Sequence, residues 1–100
     1  MGFLEKVYEN ALCVELRRRG FTVEQQRPLH VRYEGEIVGA YVTDLLVESC
    51  VLIELKAQIY LEKAARAQCI HYLRATGFPV CLLLNFGRPR MEIQRIVNNF

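Results

Sequence analysis

The sequence predicts one α/β domain, in which helices pack against a mixed central sheet. Two observations lead to this fold class. Helical and strand-like segments follow one another in the order α, β, β, β, α, β, with one more strand expected at the end. The second helical segment joins two apolar strand segments, and a connection of that length is typical of a parallel crossover. With 100 residues and 52% hydrophobic content, the chain suits a single domain over 1–100.

The first two elements are a helix and a strand at the sheet edge. Helical periodicity runs from Phe3 to Arg19, and Gly20 follows in the position that usually ends a helix. Phe21 to Tyr33 alternates loosely and contains Pro28, which suits an edge strand. Near the middle of the helical stripe, Glu15 is expected to be partly buried and paired with an arginine or with backbone donors. The stripe consists of Leu4, Val7, Tyr8, Ala11, Val14 and Glu15.

The remaining elements form the centre and far side of the sheet. Glu36 to Val47 and Val51 to Ala57 are rich in Val, Ile and Leu and predict paired central strands. Leu61 to Thr76 has helical periodicity. Val80 to Asn85 is a short continuous apolar run, as expected for a strand buried on both faces. Arg90 to Val97 predicts a last edge strand, with a helix as the weaker alternative.

The hairpin between the central strands places charged groups on one face. If the strands pair about a three-residue loop centred on Ser49, Asp44 lies directly opposite Glu54. Lys56 projects from the same face as Glu54, because strand side chains alternate. A register shifted by one residue would scatter this set and its apolar counterpart. The apolar set on the other face is Leu45, Val47, Val51, Ile53 and Leu55.

Two opposed carboxylates repel each other and need either a proton or a bound cation. Paired hard oxygen ligands, with room left for water and phosphate oxygens, suit Mg²⁺ or Mn²⁺. The alternative is a structural salt bridge between Lys56 and one or both acids, since exposed ion pairs are common. Spacing alone does not separate these two interpretations.

Composition and charge bear on three other function classes, namely nucleic-acid binding, action at a membrane, and cysteine or zinc chemistry. A net charge of +2 neither demands nor excludes nucleic acid, so any basic surface must be local. No apolar run approaches the ~18 residues of a membrane span, and no secretory leader is visible. We therefore expect a soluble, cytoplasmic protein that does not act at a membrane. The four cysteines form no CxxC pair, and no Cys/His arrangement indicates a zinc site or a nucleophile.

The order of elements and the acidic hairpin resemble the PD-(D/E)xK nuclease superfamily, in which an Asp and a Glu-x-Lys on paired strands form the metal site. Gly2 to Tyr8 reads GFLEKVY and is similar to the GxxExxY signature of a small family in that superfamily. Thr43 replaces the superfamily's Pro, and Val42 stands where the family often has Arg. Further likeness lies at Leu12, Glu15-Leu16, Gly20, Gln25-Gln26, Gly39, Asp44 to Val47, Glu54 to Ala57, Gln68, Tyr72-Leu73, Thr76-Gly77 and Asn85 to Gly87.

The resemblance implies a restriction-endonuclease-like αβββαβ core and a metal-dependent nuclease that hydrolyses phosphodiester bonds of DNA, or of RNA. Asp44, Glu54 and the backbone carbonyl of Leu55 would hold one or two Mg²⁺ or Mn²⁺ ions. Lys56 would position or deprotonate the attacking water, and an electrostatic role is favoured over that of a general base. Superfamily members often pair their active sites, which implies a homodimer.

Both helices are expected to add residues to the site. A Glu on the first helix completes the metal shell in many superfamily members, and Glu5 and Glu9 are both candidates; the alternative is that both are solvated surface acids. Gln68 and Tyr72 resemble the Gln-x-x-x-Tyr arrangement that RecB-type nucleases place beside the metal, although a core position explains Tyr72 equally well. Nucleic-acid phosphates are expected to contact arginines, chiefly Arg66, Arg74, Arg88 and Arg90, with Arg95 and Arg17 to Arg19 as further candidates.

Two other functions stay open at the level of the sequence. One is a catalytically inactive module that keeps a nuclease fold to bind nucleic acid or protein. The other is a small phosphatase or nucleotide hydrolase that uses the same metal chemistry. Intact Asp44, Glu54 and Lys56 argue against a degenerate site, but they do not demonstrate turnover.

Overall fold

A computed structural model describes the backbone of residues 2–98 and the side chains of residues 4–98. Two helices and five strands lie within this range, and their order confirms the predicted fold class. No helix in residues 2–98 is long and apolar enough to cross a bilayer. The elements are α1 (Gly2–Arg18), β1 (Val23–Tyr33), β2 (Glu36–Val47), β3 (Val51–Lys56), α2 (Lys63–Thr76), β4 (Val80–Asn85) and β5 (Glu92–Val97).

The five strands form one mixed sheet in the order β1-β2-β3-β4-β5. Strands β1, β2 and β3 are antiparallel neighbours, whereas β4 runs parallel to β3 after the crossover through α2. The last strand, β5, pairs antiparallel with β4 at the far edge. The predicted edge positions of β1 and β5 and the inner position of β4 are therefore confirmed. Helix α2 begins at Lys63 rather than Leu61, because residues 57–62 form the connecting loop.

Each face of the sheet carries its own apolar cluster. Leu45 and Ile53 are buried on the face that packs against Cys13 of α1. Leu46 and Leu52 are buried on the other face, with α2 above them. Because side chains alternate along β2 and β3, these strands contribute apolar residues to the clusters on both faces. Burying each such side chain stabilises the folded state by roughly 1.5–3 kcal/mol. The predicted separation of apolar and charged sets on this hairpin is confirmed.

Helix α1 packs on a different stripe from the predicted one. Leu4 and Val14 are 53% and 52% exposed, whereas Glu9 is only 4% exposed and Cys13 only 2%. Glu15 is exposed and adds nothing to the core; its carboxylate accepts a hydrogen bond from Arg19 at 2.7 Å. The predicted partial burial of Glu15 is wrong. The reason is that the buried stripe contains Glu9, whose carboxylate pairs with Lys6 of α1 and accepts hydrogen bonds from two glutamines of β1. Hydropathy alone therefore indicated the wrong rotation of α1.

A buried amide fixes the loop that follows β3. Asn85 is fully buried, and its side chain accepts a hydrogen bond from the Gln58 N–H (2.9 Å) and donates one to the Gln58 carbonyl (2.8 Å). The Asn85 Oδ1 also accepts from the Gly87 N–H at 3.2 Å. A Cβ added to Gly87 would lie 2.3 Å from the Gln58 carbonyl oxygen, so only glycine permits this close approach. The ends of β3 and β4 are therefore locked together two residues beyond Lys56.

We predict that Gly87→Ala destabilises the protein by about 1–3 kcal/mol, because the new methyl group overlaps the Gln58 backbone. Urea denaturation would measure the free energy of unfolding. The matched control is Gly39→Ala, where the added Cβ comes no closer than 3.8 Å to Val31. Equal losses in the two variants would contradict this account of the lock.

Candidate active site

The β2–β3 hairpin has the predicted register. Leu45 pairs with Ile53 and Val47 with Val51. The turn between them closes with a hydrogen bond from the Cys50 N–H to the Val47 carbonyl at 3.1 Å. Its two leading residues adopt left-handed backbone conformations, which let a short loop reverse the chain. The hairpin therefore places Asp44, Glu54 and Lys56 on the face that packs against α2.

The backbone ladder stops one residue before the two acids would pair. Beyond the Leu45 and Ile53 pair, the Leu55 N–H donates instead to the Asp44 Oδ2 at 2.8 Å. A carboxylate thus takes the place of a strand carbonyl, and β2 and β3 diverge at this point. Charge-assisted hydrogen bonds of this kind are stronger than neutral ones, so the orientation of Asp44 is well determined.

The ladder between β1 and β2 opens at the same place. Gln26 lies across from Asp44 and is missing from the paired residues, and its φ of 52° is in the left-handed region. Such a conformation costs on the order of 1–3 kcal/mol in a residue other than glycine. It turns the Gln26 amide so that its Nε2 donates to both the Asp44 Oδ1 (3.3 Å) and the Glu9 Oε1 (2.8 Å).

Glu9 on α1 is therefore linked to Asp44 through the Gln26 amide, and because it is buried, the alternative that Glu9 is a solvated surface acid is wrong. Its Oε2 accepts hydrogen bonds from Lys6 (3.0 Å) and from Gln25. Glu5 lies one turn earlier, and its Oε1 is buried with no hydrogen-bond partner among the described residues. The structure connects Glu9 to Asp44 through Gln26, whereas no such shared partner links Glu5 to Asp44 within that part of the chain.

Of Asp44 and Glu54, Glu54 is the acid whose carboxyl group has the fewer compensating contacts among the described residues. Its Oε1 is buried, and no hydrogen-bond donor within residues 4–98 reaches it. Burial raises the pKa of Glu54 to about 8, and the nearby charge of Asp44 adds to this effect. No ion pair within 4.0 Å involves Lys56 in this part of the chain, so the alternative of a structural salt bridge is not observed.

Helix α2 contributes Gln68 and Tyr72 on one flank. Gln68 is exposed and lines a cleft of about 480 Å³ together with Lys56. Tyr72 stacks on Tyr41, with ring centroids 3.5 Å apart and an interplanar angle of 9°. Burial and the charge of Glu54 raise the pKa of Tyr72. Gln68 therefore lies beside Lys56, and Tyr72 lies beside Glu54.

Tyr41 and the bridging role of Gln26 were not predicted from the sequence. Tyr41 presents a buried hydroxyl without a hydrogen-bond partner among the described residues, and burial followed by the charge of Glu54 raises its pKa. Tyr41 lies three residues before Asp44 on the same strand. Regular alternation of side chains would place Tyr41 and Asp44 on opposite faces of the sheet, so the sequence did not indicate Tyr41 as part of the site. The sequence did contain an indication for Gln26, because the Gln25-Gln26 pair is among the residues that resemble the GxxExxY-type family.

The arginines predicted to contact phosphate do not form one surface. Arg66, Arg74 and Arg95 line a groove of about 320 Å³ between α2 and β5, which we call the arginine groove. It lies on the flank of α2 away from Gln68. Arg88 sits over the Tyr60 ring, 5.5 Å from its centroid, and 4.0 Å from Glu92; Arg90 is exposed nearby.

The carboxylates of Asp44 and Glu54 are ligands of the type that a divalent cation prefers, but they do not supply a complete coordination shell. Among residues 2–98, no three His, Cys, Asp or Glu side chains gather closely enough to hold a metal ion by themselves. The unpartnered oxygen of Glu54 and the adjacent Asp44 are hard anionic donors, which Mg²⁺ and Mn²⁺ prefer. Mg²⁺ commonly binds through one or two carboxylates and completes its shell with water and phosphate oxygens. The donors present therefore fit such an ion.

Comparisons with known proteins agree with the fold. The family model described as the PD-(D/E)XK nuclease superfamily matches residues 1–96. The chain belongs to this superfamily. Among solved structures, the crystal structure of SSO0001 is similar, with a TM-score of 0.68 and 15% identity over 97% of this chain and 51% of that chain. This likeness shows the fold alone, and the chain spans about half the length of SSO0001. No curated protein matches the chain.

Superfamily membership identifies a nuclease fold, and nucleases of this superfamily act on nucleic acid and generally use divalent metal ions. The predicted Asp and Glu-x-Lys residues lie on the hairpin of β2 and β3, as the resemblance implied. Gln68, Tyr72 and Glu9 lie around it, whereas Arg66 and Arg74 face away from the cleft. The roles of these residues in binding or catalysis stay predictions.

The buried acid generates a prediction for the metal-free protein. The ordinary pKa of a glutamate is 4.5, and in the folded protein the pKa of Glu54 is raised to about 8. Its protonated form favours folding, so this contribution is complete below pH 4.5 and is lost as the pH rises through about 8. Relative to Glu54→Gln, we expect the wild type in EDTA to lose stability on the order of 2–5 kcal/mol between pH 5 and pH 9.

Urea denaturation across that pH range would measure the difference. Glu36→Gln is the matched control, because Glu36 is exposed at the far end of the hairpin. This control should follow the wild-type profile. If Glu54→Gln followed it as well, the burial of an uncompensated charge at this position would be wrong.

Proposed function

We propose that this protein is a metal-dependent nuclease that hydrolyses phosphodiester bonds in DNA or RNA, and that it is a GxxExxY-type member of its superfamily. The observation that carries the proposal is the opened ladder at Asp44. There the backbone holds one carboxylate beside a second, partly uncompensated one, with Lys56 on the same face and a cleft next to it. A purely structural site would pair the ammonium group with the acids.

Asp44, Glu54 and the Leu55 carbonyl would hold the cation, with Glu9 as the helical carboxylate because it shares the Gln26 amide with Asp44. Glu5 is the alternative for that position. When bound, Mg²⁺ or Mn²⁺ would acidify a water molecule, polarise the phosphodiester and offset the charge that develops in the transition state.

The chain's own residues would orient the substrate and stabilise charge. Leu55 and Gln26 hold Asp44 in place by hydrogen bonds before substrate arrives, which limits the reorganisation needed for reaction. Lys56 presents an ammonium group to the cleft, where it would hold a phosphate oxygen and stabilise negative charge. Gln68 lines the same cleft and would donate its amide hydrogens to another phosphate oxygen.

We predict that purified protein cleaves labelled nucleic acid with Mg²⁺ or Mn²⁺ and not with EDTA. Asp44→Asn and Lys56→Ala should each lower the rate about 100-fold or more, because the first removes an anionic ligand of the cation and the second removes the ammonium group that stabilises the reacting phosphate. Asn keeps an acceptor for the Leu55 N–H, so the fold should survive. Single-stranded, duplex and branched DNA and RNA would be compared on gels, with Glu36→Gln as the control.

The outcomes separate the proposed nuclease from its alternatives. Cleavage that persists in both variants would place catalysis elsewhere and contradict the proposal. Binding without cleavage under every condition would favour the inactive binding module. Hydrolysis of mononucleotides or phosphomonoesters alone would favour the small phosphatase. The homodimer and the cytoplasmic location expected from the sequence stay predictions.

The arginine groove is proposed to contact the nucleic-acid backbone away from the cleft. Its three guanidinium groups line one groove, and no ion pair within residues 4–98 neutralises any of them. Arg66 donates to the Gln94 side chain at 3.3 Å, so Arg74 and Arg95 are the better positions to change. Because phosphate contacts release counterions, their loss should alter the salt dependence of binding.

We predict that the double variant Arg74→Gln/Arg95→Gln binds nucleic acid more weakly and lowers the slope of log K against log salt by about 2. Fluorescence anisotropy in an Asp44→Asn background would measure binding without cleavage. Arg27→Gln/Arg32→Gln removes the same charge from exposed positions outside the groove. Identical slopes for the two double variants would rule out a specific contribution of the groove.

A further inference from the structure

Tyr60 is the most exposed large apolar side chain among residues 4–98. It is 74% exposed, and its neighbour Ile59 is 72% exposed. Both lie in the loop between β3 and α2. Gln58 and Glu62, which flank residues 59–61, line the same cleft as Lys56. An aromatic ring is therefore held in solvent at the mouth of the proposed active site.

The loop holds the ring in this position. The Gln58 backbone is fixed from both sides by the Asn85 side chain, at 2.9 Å and 2.8 Å. The Gln58 side chain in turn accepts a hydrogen bond from the Glu62 N–H at 3.3 Å. Both ends of the segment that carries Tyr60 are thus tied, and only three residues lie between them. A tied loop presents its side chain with less entropy to lose on binding.

A guanidinium group accompanies the ring. Arg88 follows Gly87, which packs directly on the Gln58 backbone, and its guanidinium carbon lies 5.5 Å from the Tyr60 centroid. A ring that can stack on a nucleobase and a cation that can hold the adjoining phosphate are the two groups that bind single-stranded nucleic acid without sequence preference. Here they come from two loops that meet beside one cleft.

We propose that Tyr60 and Arg88 form a stacking platform for one unpaired nucleobase next to the bond to be cut. A base inside a duplex has both faces covered by its neighbours, so only an unpaired base can offer a face to Tyr60. The preferred substrate is therefore single-stranded nucleic acid, or a duplex with an unpaired nucleotide at the cleavage position. This inference rests on the proposed function for the position of the cut, but the stacking itself needs neither metal nor turnover.

Binding in EDTA tests the platform separately from catalysis. Fluorescence anisotropy would compare single-stranded and fully paired oligonucleotides for the wild type, Tyr60→Ala, Tyr60→Phe and Tyr33→Ala. Tyr33 is a tyrosine with 68% exposure at the far hairpin end and serves as the matched control. Tyr60→Ala should weaken single-strand binding about 5- to 100-fold, with duplex binding little changed. Tyr60→Phe and Tyr33→Ala should bind like the wild type.

A second readout locates the contact. Single strands that contain 5-iodouracil should crosslink to Tyr60 on irradiation, as mapped by mass spectrometry, and duplexes should not. Equal affinities of Tyr60→Ala and Tyr33→Ala for single strands would overturn the platform, as would equal losses for single strand and duplex, or no binding by the wild type. Stacking and crosslinking in a protein that never cleaves would support the platform while refuting the nuclease proposal.

Discussion

The hydrogen bond from the Leu55 N–H to the Asp44 carboxylate is the constraint on which the rest of the site depends. In a continuous hairpin, that N–H would meet a backbone carbonyl and the two acids would stand on a closed, pleated surface. Replacing the carbonyl with a carboxylate keeps the donor satisfied while the strands separate. The same hydrogen bond fixes the Asp44 carboxylate without help from any cation.

The two helices lie on opposite faces of the sheet, so the opened ladder is also what lets both reach one site. Tyr72 approaches from the α2 side by ordinary packing, next to Glu54. Glu9 belongs to the other layer and is linked to Asp44 through the amide of Gln26, a residue that leaves the strand pairing with a left-handed backbone. Local strain in β1 thus connects the layers, which is the kind of position where strain and function coincide.

Most of the fold and the hairpin chemistry follow from local rules, whereas contacts between layers do not. The register of β2 and β3 is predictable because one slip would exchange the buried and charged faces. The rotation of α1 is not, because a buried Glu9 looks polar in a hydropathy pattern and its glutamine donors lie 16 and 17 residues away. The rotation of α2 is also set by the core, and it places Gln68 and Arg66 on opposite flanks of the helix. Spacing along the sequence did not predict this separation.

The site also lowers the stability of the fold in a way that a structural ion pair would not. Glu54 has a buried carboxylate oxygen without a hydrogen-bond donor in the described part of the chain. After burial, the largest cause of its raised pKa is the charge of another acid, Asp44. Lys56 is on the same face yet forms no ion pair there with either acid. Selection for stability alone would replace such a group with an apolar or amide side chain. An acid pair kept on the same face as a cleft therefore supports the proposed divalent cation, which would relieve the repulsion between the two carboxylates.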